Sequence, residues 1–141
     1  MKLVYICSPY AGDIEKNIRF ARDACRYALE QGCAFIAVHL LYPQFLNDGV
    51  PSQREAGIQM GLRVLASCDQ LWICGEHISP GMSGEIAEAK RLGIPIREVS
   101  TEQIQGGIQM KQIDTANVSY YPKEREIELE KAPSSGMKLQ L

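Results

Sequence analysis

Four short apolar runs, separated by stretches of helical period, constrain this chain more than any other feature of it. They are Leu3–Cys7, Cys33–Val38, Gln70–Cys74 and a run that opens at Ile94-Pro95-Ile96. Near-continuous apolarity rich in β-branched and aromatic residues marks a strand buried on both faces of a parallel sheet. Between the first two runs, Asp13 offers an N-cap, and Ile14, Ile18, Ala21, Cys25 and Ala28 recur at helical spacing before Gly32 stops the helix. Between the second and third, Leu40 to Val50 has no regular period and reads as a loop. Ser52-Gln53-Arg54-Glu55 then has the form of a capping box, with Ile58, Leu62 and Leu65 as the stripe the helix should bury. The third helix follows Ser79-Pro80-Gly81, buries Ile86, Ala89 and Leu92, and ends at Gly93. This alternation predicts an α/β fold: a flavodoxin-like (Rossmann-like), doubly wound parallel sheet of four to five strands with helices on both faces.

Residues 1–100 therefore form one expected domain. From 101 to 122 the chain turns Gln-rich around Gly106-Gly107, and Val118–Tyr121 is the one remaining strand-like run, a candidate edge strand completing that domain. Residues 123–141 are densely charged and then linker-like, and are expected to form a flexible tail.

Composition narrows the classes of function. Fifteen basic residues against 17 acidic ones give a net charge of −2, which supplies no positive field for a polymeric nucleic acid or an anionic membrane. The five cysteines include no C-x-x-C pair and several lie in apolar runs, so they read as reduced and structural. The apolar N-terminus breaks at Ser8-Pro9, short of a signal segment or membrane span, and a cytoplasmic location is the expectation. Neither a P-loop nor a strand-linked G-x-G-x-x-G occurs, and two histidines without metal-type spacing predict no metal and no cofactor.

In a parallel sheet the C-terminal ends of all strands share one edge, where open α/β sheets bind ligands. That edge is expected to gather Ser8, Tyr10, His39, Glu76, His77, Ser79 and Glu85. Glu85, placed by this reading in the first turn of its helix, can either complement the helix dipole or stay ionised as a nucleophile or charge stabiliser. For His39 and Tyr10 the choice is between structural roles and ligand contact.

On these residues the chain resembles the nucleoside 2-deoxyribosyltransferase superfamily over about residues 1–98, and within it a branch of small uncharacterised bacterial and phage proteins. Val4-Tyr5-Ile6-Cys7-Ser8-Pro9-Tyr10 corresponds to the family's first strand and loop, and Ser79, Gly81 and Glu85 to its nucleophile motif. The resemblance implies Glu85 as the nucleophile, Tyr5 as its hydrogen-bond partner, and Tyr10, His39, Ser79 and Gly81 as substrate contacts; Ser8 on the same sheet edge and Arg54 on the second helix, where its charge could meet a phosphate, are further candidate contacts read from position alone. The implied reaction is cleavage or transfer of the N-glycosidic bond of a nucleoside or nucleoside 5′-monophosphate, in a homodimer or higher homo-oligomer. One departure stands out: where the family carries a helix-two aspartate that serves the leaving base, this chain has Gly61. Gly57 and Gly61 share a helix face that either opens room for a ligand or lets a neighbour pack closely. The departure also keeps open a second reading, a nucleotide-binding module of little or no activity that works through a partner.

Overall fold

A computed structural model describes the backbone of residues 1–110 and side chains through residue 106. Ten elements follow in order: β1 (Leu3–Cys7), α1 (Ile14–Glu30), β2 (Ala34–Ile36), the one-turn α2 (Val38–Leu41), a 3-10 turn (Tyr42–Gln44), α3 (Pro51–Leu65), β3 (Gln70–Cys74), α4 (Pro80–Leu92), β4 (Ile96–Val99) and α5 (Thr101–Met110). The strands form one sheet in the order β2-β1-β3-β4, every pair parallel. The chain thus steps from β1 to one side for β2, then crosses back to the other side for β3. The reversal places the topological switch point, the position at which doubly wound sheets hold ligands, beyond the C-terminal ends of β1 and β3.

Alternation along the strands sorts the core into two layers. Val4, Ile6, Trp72, Cys74 and Val99 face α1 and α5, meeting Ala24, Cys25, Tyr27, Ala28 and Ile104. Tyr5, Cys7, Leu71 and Ile73 face the opposite way, onto Leu65 of α3 and Met82, Ile86 and Ala89 of α4. Both faces of β1 and β3 are covered, which is why these runs are apolar throughout rather than alternating. Ile104 is fully buried, so the packed unit continues past Ser100 into α5. The strand-like run Val118–Tyr121 and the charged tail lie outside the described residues.

Three local expectations are corrected. β2 is shorter than the apolar run suggests, and His39 belongs to α2, because the segment read as an irregular loop closes into a helical turn and a 3-10 turn. α3 begins at Pro51, whose missing N–H and restricted φ suit a first helical position. Ser52 is then already helical and forms no capping box. Gln53 reaches back instead, its Oε1 accepting the Asn47 N–H at 2.6 Å. Finally, Ile58 and Leu92 are 47% and 38% exposed. The buried face of α3 is Gly61 and Leu65, so its N-terminal half extends beyond the packed layer.

Candidate active site

The loop after β3 enters α4 through Ser79, whose hydroxyl accepts the Met82 N–H at 3.3 Å, with Pro80 at the first helical position. Glu85 consequently lies in the second turn, not the first, and no acidic residue occupies the first turn. The dipole and free N–H groups of the helix start are therefore not what sets its charge. Its environment does so instead. The carboxylate reaches down onto β1, where the Tyr5 hydroxyl donates to Oε2 and the Cys7 thiol approaches Oε1 at 3.5 Å. Burial raises the Glu85 pKa to about 6, against the lowering effect of these two hydrogen bonds. The same burial, reinforced by the carboxylate's negative field, pushes both the Tyr5 phenol and the Cys7 thiol far above their ordinary values. At neutral pH the arrangement is one ionised carboxylate gripped by two neutral donors.

Gly61 of α3 closes one side of this pair. A Cβ at that position would lie 3.3 Å from Tyr5 Oη and 3.7 Å from Val38 Cγ2. Glycine thus lets α3 approach until its backbone abuts the phenol. Next to Val38, the ring of His39 stacks on Tyr10 with centroids 5.4 Å apart and planes at 21°. Burial lowers the His39 pKa, with the Asp48 charge opposing it, so the imidazole is neutral at pH 7. The loop after β1 that carries Tyr10 is held by Asn17, whose Nδ2 donates to the Tyr10 and Ala11 carbonyls at 2.9 and 3.0 Å. Gly12 makes the turn at φ +98°. Ser8, at the end of β1, is buried, and its Oγ has no hydrogen-bond partner among the described residues.

Other expected contacts sit elsewhere or are engaged. Arg54 is two-thirds exposed on α3 and approaches Asp48 at 3.9 Å, in an open cleft of about 500 Å³ shared with Pro51 and Ile58. Glu76 caps α5, accepting from Thr101 Oγ1 at 2.8 Å and from its N–H at 3.3 Å. A second cleft, about 470 Å³, runs past Glu76, Ile78, Glu98 and Gln103 beside the same sheet edge. Neither cleft is lined by Glu85 or Tyr5. Gly81 faces open space with an ordinary φ, and His77 is exposed.

The residue that motif reading passed over is Cys7, taken as a small hydrophobe. The signal was available in strand periodicity: residues two apart share a face, so whatever Tyr5 reaches, Cys7 flanks. Asn17 was missed because it sits in a helical stripe of mixed character and works by holding a loop.

The fold defines a class: flavodoxin-like α/β domains, with a parallel sheet covered by helices on both faces. Among solved structures, the 2-deoxyribosyltransferase of the psychrotolerant bacterium Bacillus psychrosaccharolyticus superposes with a TM-score of 0.57 at 15% identity, covering 86% of this chain and 93% of that one. More narrowly, residues 2–99 match the model of a family described as a domain of unknown function, DUF7768, and the chain belongs to that family. No curated protein matches the sequence. No helix among the described residues is long and apolar enough to cross a membrane.

Proposed function

We propose that this protein cleaves or transfers the N-glycosidic bond of a nucleoside or nucleoside 5′-monophosphate, with Glu85 as the nucleophile. The observation that carries this reading is the partly buried Glu85 carboxylate gripped by Tyr5 and Cys7 of β1. Two hydrogen bonds fix the carboxylate's position, and burial strips water from it, as a carboxylate attacking C1′ through an oxocarbenium-like transition state requires. Tyr5 orients the nucleophile. Tyr10 stacked on His39 offers a flat surface for a base, and the unpartnered Ser8 hydroxyl a contact for the ligand. Ser79 and Gly81 line the entrance to α4, and Arg54, exposed on α3, is the candidate contact for a phosphate.

The competing reading, a nucleotide-binding module without efficient chemistry, draws on Gly61, which places no side chain beside the Tyr5–Glu85 pair. One experiment separates the two. The protein is incubated with ribo- and deoxyribonucleosides, their 5′-monophosphates and NAD, alone and with an acceptor base, and free or exchanged base is quantified by chromatography. Glu85-dependent turnover supports the enzyme. Binding by calorimetry with no turnover leaves the module, and turnover equal in Glu85→Gln sinks Glu85 as nucleophile.

A further inference from the structure

Glu85 is a partly buried carboxylate with two neutral donors, and the ion pairs among the described residues, Arg54–Asp48 and Arg91–Glu88, do not include it. In-line displacement at C1′ breaks the bond to the base on the sugar face opposite the attacking oxygen. Tyr5 and Cys7 direct their protons to that carboxylate, so neither stands where a departing ring nitrogen could collect one. The adjoining wall is Gly61, which has no side chain to offer. Beyond Val38, His39 lies stacked on Tyr10 and is uncharged at neutral pH, a poor acid. The described site thus presents a nucleophile, a stacking surface and negative charge, but no proton for the leaving group.

Building on the nucleophile assignment above, we infer that the substrate brings its own positive charge: an N-glycoside whose base is quaternised, such as a pyridinium riboside or an N7-alkylated purine nucleoside. Such a base needs no proton. As Glu85 Oε bonds to C1′, the C1′–N bond breaks and its electron pair stays on the ring nitrogen, cancelling the positive charge, so the base departs neutral. Water then attacks C1′ of the glycosyl ester, the C1′–O bond breaks with its pair returning to Glu85, and the water's surplus proton passes to solvent. Before reaction, the cationic ring resting near the partly buried carboxylate supplies the counter-charge that the protein itself does not. A neutral base would depart as an anion, and the missing acid assistance is typically worth about 10²–10⁴-fold.

The test compares base release from N7-methylguanosine, guanosine, nicotinamide riboside and 4-nitrophenyl riboside by the full chain and by Glu85→Gln, with the variant's melting curve checked against wild type. Both cationic nucleosides are expected to react at least about 100-fold faster than guanosine in kcat/KM, with release lost in the variant. Guanosine cleaved within about tenfold of its methylated form would show that the site holds an acid, overturning the inference while leaving Glu85 as nucleophile. Glu85-dependent release of 4-nitrophenolate, which also leaves without a proton, but not of the bases of the cationic nucleosides would overturn the preference for a cationic base while leaving Glu85 as nucleophile. No release from any of the four would overturn the nucleophile assignment as well.

Discussion

At the scale of single residues, the site is three side chains from two elements whose ionisation is set by burial. Because burial holds the Glu85 pKa near 6, kcat/KM of a Glu85-dependent reaction should rise with pH through that value and level off above it, as a pH–rate profile would reveal. If Glu85 is the nucleophile as proposed, Glu85→Gln should lower turnover by at least about 10³-fold, because an amide cannot form the glycosyl ester. Gly61→Ala has opposing effects. Alanine favours a helix interior over glycine by about 1 kcal/mol. Its Cβ, however, would lie 3.3 Å from the hydroxyl of a fully buried Tyr5 already committed to Glu85. Tyr5 has nowhere to withdraw, so the variant should lose activity by more than its melting temperature suggests. Retained wild-type kcat/KM in Gly61→Ala would show that the phenol can shift without cost.

At the scale of elements, the loops after β1 and β3 are each tied by a side chain to a helix, the first to α1 and the second to α5. Asn17 in α1 ties down the Tyr10 loop through two carbonyls. Asn17→Ala should therefore raise KM several-fold while sparing kcat, since the nucleophile and its donors are on other elements; steady-state kinetics on an active nucleoside checks this. Glu76, gathered with the site residues by topology, instead satisfies the first turn of α5 through Thr101. Glu76→Ala should cost about 1–2 kcal/mol, visible in urea unfolding, because it removes an N-terminal cap. If it cost nothing, the reciprocal Ser100–Gln103 pair, with Gln103 N–H on Ser100 Oγ and Ser100 N–H on Gln103 Oε1, would suffice to hold the start of α5.

At the scale of the whole molecule, Glu85 leaves a mark on stability against pH. Its folded pKa, about 6, lies above the ordinary 4.5, so between these values the folded state binds more protons than the unfolded state. Stability contributed by this group is accordingly full below about pH 4.5 and lost as pH rises through 6, a fall of about 2 kcal/mol. His39 acts in the opposite sense, because its folded pKa is lowered and stability rises as it deprotonates. Subtracting the Glu85→Gln curve from that of wild type isolates the first effect. A difference that stays constant from pH 4 to 8 would mean that Glu85 ionises as it does in water.

The sheet was legible in the sequence because strands buried on both faces must be apolar at every position, and such runs have few other uses in a chain of this size. The helix starts were less so. Ser52-x-x-Glu55 has the letters of a capping box, yet Pro51 ahead of it starts the helix earlier, and local chemistry of that kind is decided by whichever residue reaches helical geometry first. Ile58 illustrates a second limit, since a helical stripe predicts which face packs but not how far along the helix its partner extends. Glu85 was singled out from the sequence as a carboxylate at a helix start on the ligand edge. Only the tertiary structure moved it to the second turn and set Tyr5 and Cys7 against it, from 80 and 78 positions away. The sequence by itself determined the layers, through the period of its apolar residues. Which donors meet the carboxylate, and hence its raised pKa, was decided by parallel β1 and β3 holding α4 over one face of β1, a relation between distant segments that no local pattern encodes.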